Sequence, residues 1–153
     1  MLAALAASSC TKDKDASADT APAKPAASNR EERPEYLVEL LAPTAQAAGA
    51  EVTALVHVAG RGGYHVNADY PLAFTPDPVE GLAFKDKRIA LLDSAERTPC
   101  AGAAKDTCEV RAKVPFTASK TAKLSGVLAF SICQPEQCLI KKARLAVDVP
   151  VAP

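Results

Sequence analysis

Hydrophobic and polar residues alternate with a period of two along most of the chain beyond Pro34. Side chains of a β-strand point to opposite faces in turn, so this spacing predicts strands with one buried and one wetter face. The clearest run, residues 51–59, alternates apolar Val and Ala with Glu, Thr and His. Turn-forming Gly and Pro residues separate the runs. The predicted strands cover residues 36–41, 51–59, 64–67, 72–74, 82–92, 110–116, 124–132 and 143–151.

No helical period follows residue 34, and no internal repeat is evident. Seven or eight short strands separated by turns are typical of an antiparallel β-sandwich. A chain of 153 residues has room for one ordinary domain and a tail. The sequence therefore predicts an all-β fold with one sandwich domain over residues 34–153.

The N-terminal region has a different composition. Residues 1–9 are apolar and then small, like the end of an export signal, and they stand directly before Cys10. This arrangement resembles a bacterial lipoprotein signal, in which the cysteine is lipidated, and the alternative is a plain secretory signal. Residues 11–33 contain no aliphatic residue larger than Ala and no aromatic. We expect residues 10–33 to be a disordered tether that links the domain to a membrane if Cys10 is lipidated.

Charge and cysteine content narrow the choice of partner and compartment. Eighteen basic and eighteen acidic residues leave no net charge to bind phosphates, so nucleic acid is not an expected partner. No apolar run is long enough for a transmembrane helix. Five cysteines in a small protein favour an oxidising compartment. We expect a monomer in the periplasm or bacterial cell envelope.

The strand-forming run at 127–132 ends in Cys133, and four polar residues separate it from Cys138. Pro135 interrupts the strand, so the two cysteines should lie beside a turn. A disulfide across so short a loop contributes only about 2 kcal/mol to stability in the chain-entropy model, which makes redox chemistry a sharper explanation than stapling. Cys133 follows Ile132 and should face away from the core, with an accessible thiol. Lys141 and Lys142 are candidates for stabilising a thiolate.

Two stretches carry a resemblance to a known family. GYHVNADYPLAFTPDP at residues 63–78 and FSICQPEQCLIKKARLAVDVPV at residues 130–151 resemble the N-terminal periplasmic domain of the thiol:disulfide interchange protein DsbD. The resemblance implies an immunoglobulin-like sandwich and disulfide exchange with thioredoxin-fold proteins, without a cofactor. It implies that Cys138 forms the mixed disulfide with partners and that Cys133 resolves it. Tyr64 and Asn67 would line the site, although they differ in parity and can both face the sulfurs only if their strand ends or bends between them.

The chain departs from the family pattern in its other two cysteines. The family covers its cysteines with a loop built around an aromatic residue, and the corresponding residues 98–108 have no aromatic but carry Cys100 and Cys108. We expect these two to form a structural disulfide worth roughly 2 to 3 kcal/mol, although four cysteines allow three connectivities. His65 is expected to be structural.

Two other functions are consistent with the sequence. Four thiolates with His65 could hold a soft metal, but their spacing is unlike that of zinc sites, and no metal is expected. An exchange module would be a thiol:disulfide oxidoreductase. The main alternative is a disulfide-stabilised immunoglobulin-like lipoprotein that acts as a binding or scaffold domain.

Overall fold

The computed structural model describes residues 27–153, which form eleven β-strands and one short 3-10 turn at Leu92–Ser94. All pairings between these strands are antiparallel. The strands are β1 (Arg30–Arg33), β2 (Tyr36–Leu41), β3 (Ala50–Gly60), β4 (His65–Val66), β5 (Ala73–Pro76), β6 (Leu82–Ala83), β7 (Ile89–Ala90), β8 (Glu96–Cys100), β9 (Ala103–Ala118), β10 (Ala122–Gln134) and β11 (Gln137–Val149).

The strands form two layers around one core. The first layer runs β1-β2-β3-β9, and the second contains β11, β10, β5 and β7. The layers pack through apolar faces, as the edge-to-face pair of Tyr36 on β2 and Phe130 on β10 shows, with ring centroids 5.0 Å apart. Both rings belong to one core cluster with the valines of β3 and β9 and the leucines of β10 and β11. The predicted all-β antiparallel sandwich is confirmed.

The two-residue strand β4 joins the layers. Val66 pairs with Thr107 of β9 on one side and with Ile132 of β10 on the other. Gly60, at the end of β3, lies so close to this segment that an added Cβ would be 2.1 Å from the Tyr64 carbonyl oxygen. A residue with a side chain at position 60 would therefore displace the segment that leads into β4.

Several strand predictions need correction. Strand β9 begins at Ala103 and not at residue 110, and β11 begins at Gln137 and not at residue 143. Residues 82–92 form the separate strands β6 and β7, and the charged residues 85–88 between them are exposed, whereas Phe84 packs against Phe116 with ring centroids 5.5 Å apart. Strand β8 was not predicted, since its residues do not alternate. Residues 30–33, assigned to the tether, form β1 in spite of having no apolar side chain, because the strand pairs with β2 and Arg30 binds Glu39 at 2.9 Å.

The predicted signal, Cys10 and most of the tether lie outside the described residues. Within residues 27–153, no helix has the length and apolar character needed to cross a membrane.

Candidate functional site

Cys133 and Cys138 are directly paired across the β10–β11 hairpin, next to its end. Gln134 pairs with Gln137, so the turn consists only of Pro135 and Glu136, and the predicted four-residue interruption is shorter than expected. Pro fits this turn because its fixed φ suits a turn and it has no N–H for a ladder. The hairpin register, set by thirteen-residue strands on both sides, therefore places the two cysteines opposite each other.

The structure contains the disulfide between Cys133 and Cys138, with the Cα atoms 4.0 Å apart. Its two ends differ in exposure, because Cys133 is only 5% exposed whereas Cys138 is exposed. The prediction of an accessible Cys133 thiol is wrong, because the residue is buried, with β11 and β4 paired to it on either side. A visiting thiolate can therefore reach the Cys138 sulfur far more easily than the Cys133 sulfur.

Asn67 and Tyr64 both lie at this disulfide. The Asn67 side-chain amide lies 4.0 Å from Cys138 Sγ, as a weak donor to sulfur, while its Oδ1 accepts a hydrogen bond of 2.9 Å from the Asp69 N–H. The second bond fixes which end of the amide faces the sulfur. The Tyr64 hydroxyl accepts a hydrogen bond of 3.4 Å from Gln137, the residue before Cys138. Both residues reach the site because β4 is only two residues long and ends between them.

Strand β4 pairs with β10 on the side away from β11, and it places His65 beside Cys133. The two residues are directly paired between β4 and β10, so their side chains share a face of the sheet. Asn67 continues the ladder by donating its N–H to the Ser131 carbonyl oxygen at 2.9 Å. The pairing of His65 with Cys133 was missed at the sequence level, because alternation gives the face of a residue but not its neighbour on the next strand.

The second disulfide joins Cys100 on β8 to Cys108 on β9, with the Cα atoms 4.7 Å apart. It closes the β8–β9 hairpin across a register shift between Thr98 and Cys100. Both cysteines line a surface depression together with Tyr64 and His65. The second disulfide thus borders the segment with Tyr64 and His65 that lies beside Cys133 and Cys138. The resemblance implies a loop at this place that covers the cysteine pair.

The two lysines proposed to stabilise a thiolate lie elsewhere. Lys141 lies over the Tyr36 ring, 5.8 Å from its centroid, and Lys142 pairs with Ala129, four pairs along the ladder from the disulfide. Burial and a hydrogen bond to Glu31 raise the pKa of Tyr36 to about 12, so this ring stays neutral at any physiological pH. The side chain that donates to Cys138 Sγ is the uncharged amide of Asn67.

One apolar side chain near Cys138 is unusually exposed. Ile140 follows Cys138 by two residues on the same face of β11 and is 63% exposed. Large aliphatic residues are normally buried, so the exposure of Ile140 beside Cys138 leaves apolar surface next to the disulfide.

The arrangement can exchange a disulfide with a protein or small thiol that approaches Cys138. Among the described residues, no group of three or more His, Cys, Asp or Glu side chains is placed to hold a metal ion. No protein-family model, curated protein or solved structure matches the chain.

Proposed function

We propose that the domain is a thiol:disulfide exchange module that passes reducing equivalents between thioredoxin-fold proteins through Cys133 and Cys138. The observation that carries the proposal is the unequal exposure of the two cysteines, since Cys133 is buried and Cys138 is exposed. A purely structural staple has no need for one exposed end, whereas an exchange site needs one sulfur that a partner can attack and one that leaves. The resemblance to the N-terminal domain of DsbD assigns the same roles to the same two residues.

The exchange conserves electrons and protons. A thiolate of a reduced partner attacks Cys138 Sγ and forms a mixed disulfide, while the Cys133–Cys138 bond breaks and its electron pair stays on Cys133. The partner's second thiol then attacks the partner's own sulfur and releases Cys138. The partner dithiol has become a disulfide, and the two electrons and two protons that it lost are on Cys133 and Cys138.

The return step uses the same atoms in reverse. The Cys138 thiolate attacks the disulfide of an oxidised thioredoxin-fold protein, and Cys133 then attacks Cys138 Sγ and expels that protein as a dithiol. The Asn67 amide supports both steps, because a donor beside Cys138 Sγ favours the charged thiolate over the neutral thiol.

The proposal includes a location for the module. Lipidation of Cys10 would hold it at a membrane of the cell envelope, and the residues up to the start of β1 would give it reach. Electrons would come from a separate reduced protein and leave to another, with no cofactor. The scaffold alternative predicts the same location without any exchange.

The equilibrium between the pair and a thiol buffer separates the two functions. We expect the Cys133–Cys138 disulfide to open at potentials in the range of cellular oxidoreductases, whereas a structural disulfide has a potential below about −300 mV. Peptide mapping after alkylation reports each disulfide separately, so Cys100–Cys108 serves as an internal reference. Equal resistance of both disulfides would support the scaffold function.

Partner trapping tests the assigned roles. A Cys133→Ala variant should accumulate mixed disulfides through Cys138 when mixed with a periplasmic extract, because the resolving thiol is missing. The matched Cys138→Ala variant should trap far less, since the remaining sulfur is buried. Equal trapping by both variants would contradict the assignment of Cys138 as the attacked sulfur.

A further inference from the structure

The leaving sulfur of the proposed reaction is in an environment that disfavours charge. Cys133 is almost completely buried, and a thiolate formed there loses most of its hydration. Water cannot easily supply a proton to it. A buried leaving group of this kind needs a proton or a positive charge from a neighbouring side chain.

His65 is the titratable side chain that the sheet places next to this sulfur. In directly paired residues of antiparallel strands the Cβ atoms are about 4.5–5.5 Å apart on one face, which is within reach of an imidazole and a thiol. His65 is half-buried and lines two depressions of the surface. Imidazole is also the side chain that gains and loses a proton near neutral pH.

Charged residues on either side of β4 in the chain, and on β8 and β9, lie around His65. Depressions lined by His65 are also lined by Arg61 before β4, Asp69 after it, Arg97 of β8, and Lys105 and Asp106 of β9. Three of these groups are basic and two are acidic, and one of the basic groups, Arg61, binds Glu32 at 3.8 Å. Cys133 faces it from β10, and Tyr64 precedes it in the chain. His65 therefore borders surface depressions that solvent can enter.

We propose that His65 is the proton donor for the Cys133 leaving group. This inference rests on the proposed exchange function and adds a residue that the family resemblance does not assign. When a partner thiolate attacks Cys138 Sγ, the electron pair of the broken bond goes to Cys133 Sγ, and the His65 imidazolium transfers its proton to that sulfur. The neutral imidazole is then protonated again from solvent. In the return step His65 removes the same proton and regenerates the Cys133 thiolate for attack on Cys138.

The test is the rate at which dithiothreitol reduces the Cys133–Cys138 disulfide in the full chain, measured by rapid alkylation and peptide mapping. His65→Gln should slow this rate about tenfold near pH 5.5 and less than about twofold near pH 8.5, since imidazole is charged only at the lower pH. A tenfold effect is smaller than general acids usually give, because a thiolate is already a good leaving group. Dividing the rate of the variant by the wild-type rate at the same pH cancels the effect of pH on the dithiothreitol thiolate, because that effect is the same for both proteins.

The matched control is His57→Gln, which changes the chain's other histidine. His57 lies on β3 between Glu39 and Glu109, so its loss should leave the rate ratio near one at both pH values. Circular dichroism checks folding, and His65→Asn replaces the glutamine variant if that one is unstable. A rate ratio for His65→Gln that is constant with pH would overturn the inference and leave the exchange function intact. A wild-type disulfide that dithiothreitol does not open would overturn both.

Discussion

At the scale of single residues, the site depends on which sulfur is exposed and on what touches it. Cys138 is exposed to solvent and Cys133 is buried, although only four residues separate them in the sequence. Asn67 belongs to the same site because its amide lies 4.0 Å from Cys138 Sγ, and the Asp69 N–H fixes the orientation of that amide. Two side chains of unlike chemistry, an amide and an imidazole, thus accompany the two ends of one disulfide.

Replacing Asn67 by Ala should make the pair more reducing. The amide stabilises the Cys138 thiolate of the reduced form, so its loss should lower the reduction potential by about 20 mV, which corresponds to about 1 kcal/mol for a weak bond to a charged group. A glutathione titration measures this shift. Asn29→Ala is the matched control, because Asn29 contributes its backbone carbonyl to the Leu40 N–H on another strand. An unchanged potential in Asn67→Ala would mean that the 4.0 Å contact does not stabilise the thiolate.

At the scale of elements, the sequence predicted strands that bury one face and missed those that do not. Tyr36–Leu41 was predicted with the observed bounds because its apolar side chains enter the core. The strand β1 has only Arg and Glu, so its formation depends on pairing with β2, which composition cannot report. The proximity of Asn67 to Cys138 depends on β4 ending after two residues, and this follows from the way β9 and β10 flank it.

The pairing of β2 with β3 should make stability depend on pH through Glu39. A hydrogen bond from His57, 3.1 Å away, and the nearby Arg30 lower the pKa of Glu39. A lowered pKa in the folded state stabilises the fold above the unfolded value of about 4.3, and this stabilisation is lost as the pH falls through the folded value.

Thermal unfolding of Glu39→Gln tests this dependence. The variant should melt a few degrees below wild type at neutral pH, for a loss of about 1 kcal/mol, and the difference should shrink towards about pH 3. Glu51→Gln on β3, where the carboxylate is exposed, should melt like wild type at both pH values. A difference between Glu39→Gln and wild type that persists undiminished at low pH would exclude the carboxylate charge as its cause.

At the scale of the whole molecule, the two disulfides lie on opposite sides of the segment that joins the layers. Cys100–Cys108 closes a hairpin of the first layer, and Cys133–Cys138 closes a hairpin of the second. Tyr64 and His65 lie between the two hairpins. The Cys100–Cys108 disulfide therefore borders the segment that carries Tyr64 and His65, and the Cys133–Cys138 disulfide is the one that we propose to react.

Removing the Cys100–Cys108 disulfide should lower the stability of the fold and leave the exchange reaction at Cys133 and Cys138 intact. A Cys100→Ser, Cys108→Ser double variant should lose about 2 to 3 kcal/mol in the free energy of unfolding, measured in urea. Its Cys133–Cys138 pair should still react with dithiothreitol at close to the wild-type rate, because the exposure of Cys138 depends on the β10–β11 hairpin. A strong loss of reactivity in this variant would show that the β8–β9 hairpin belongs to the reaction site itself.

In the proposed exchange, the register of the β10–β11 hairpin should determine how long a partner remains attached. Backbone pairing along both strands does not depend on the sulfur–sulfur bond, so Cys133 stays opposite Cys138 after that bond opens. Two groups held in this way react as though each were present at a very high effective molarity. In the proposed exchange, a partner joined to Cys138 should consequently be expelled soon after it binds, which would give the domain brief encounters and rapid turnover.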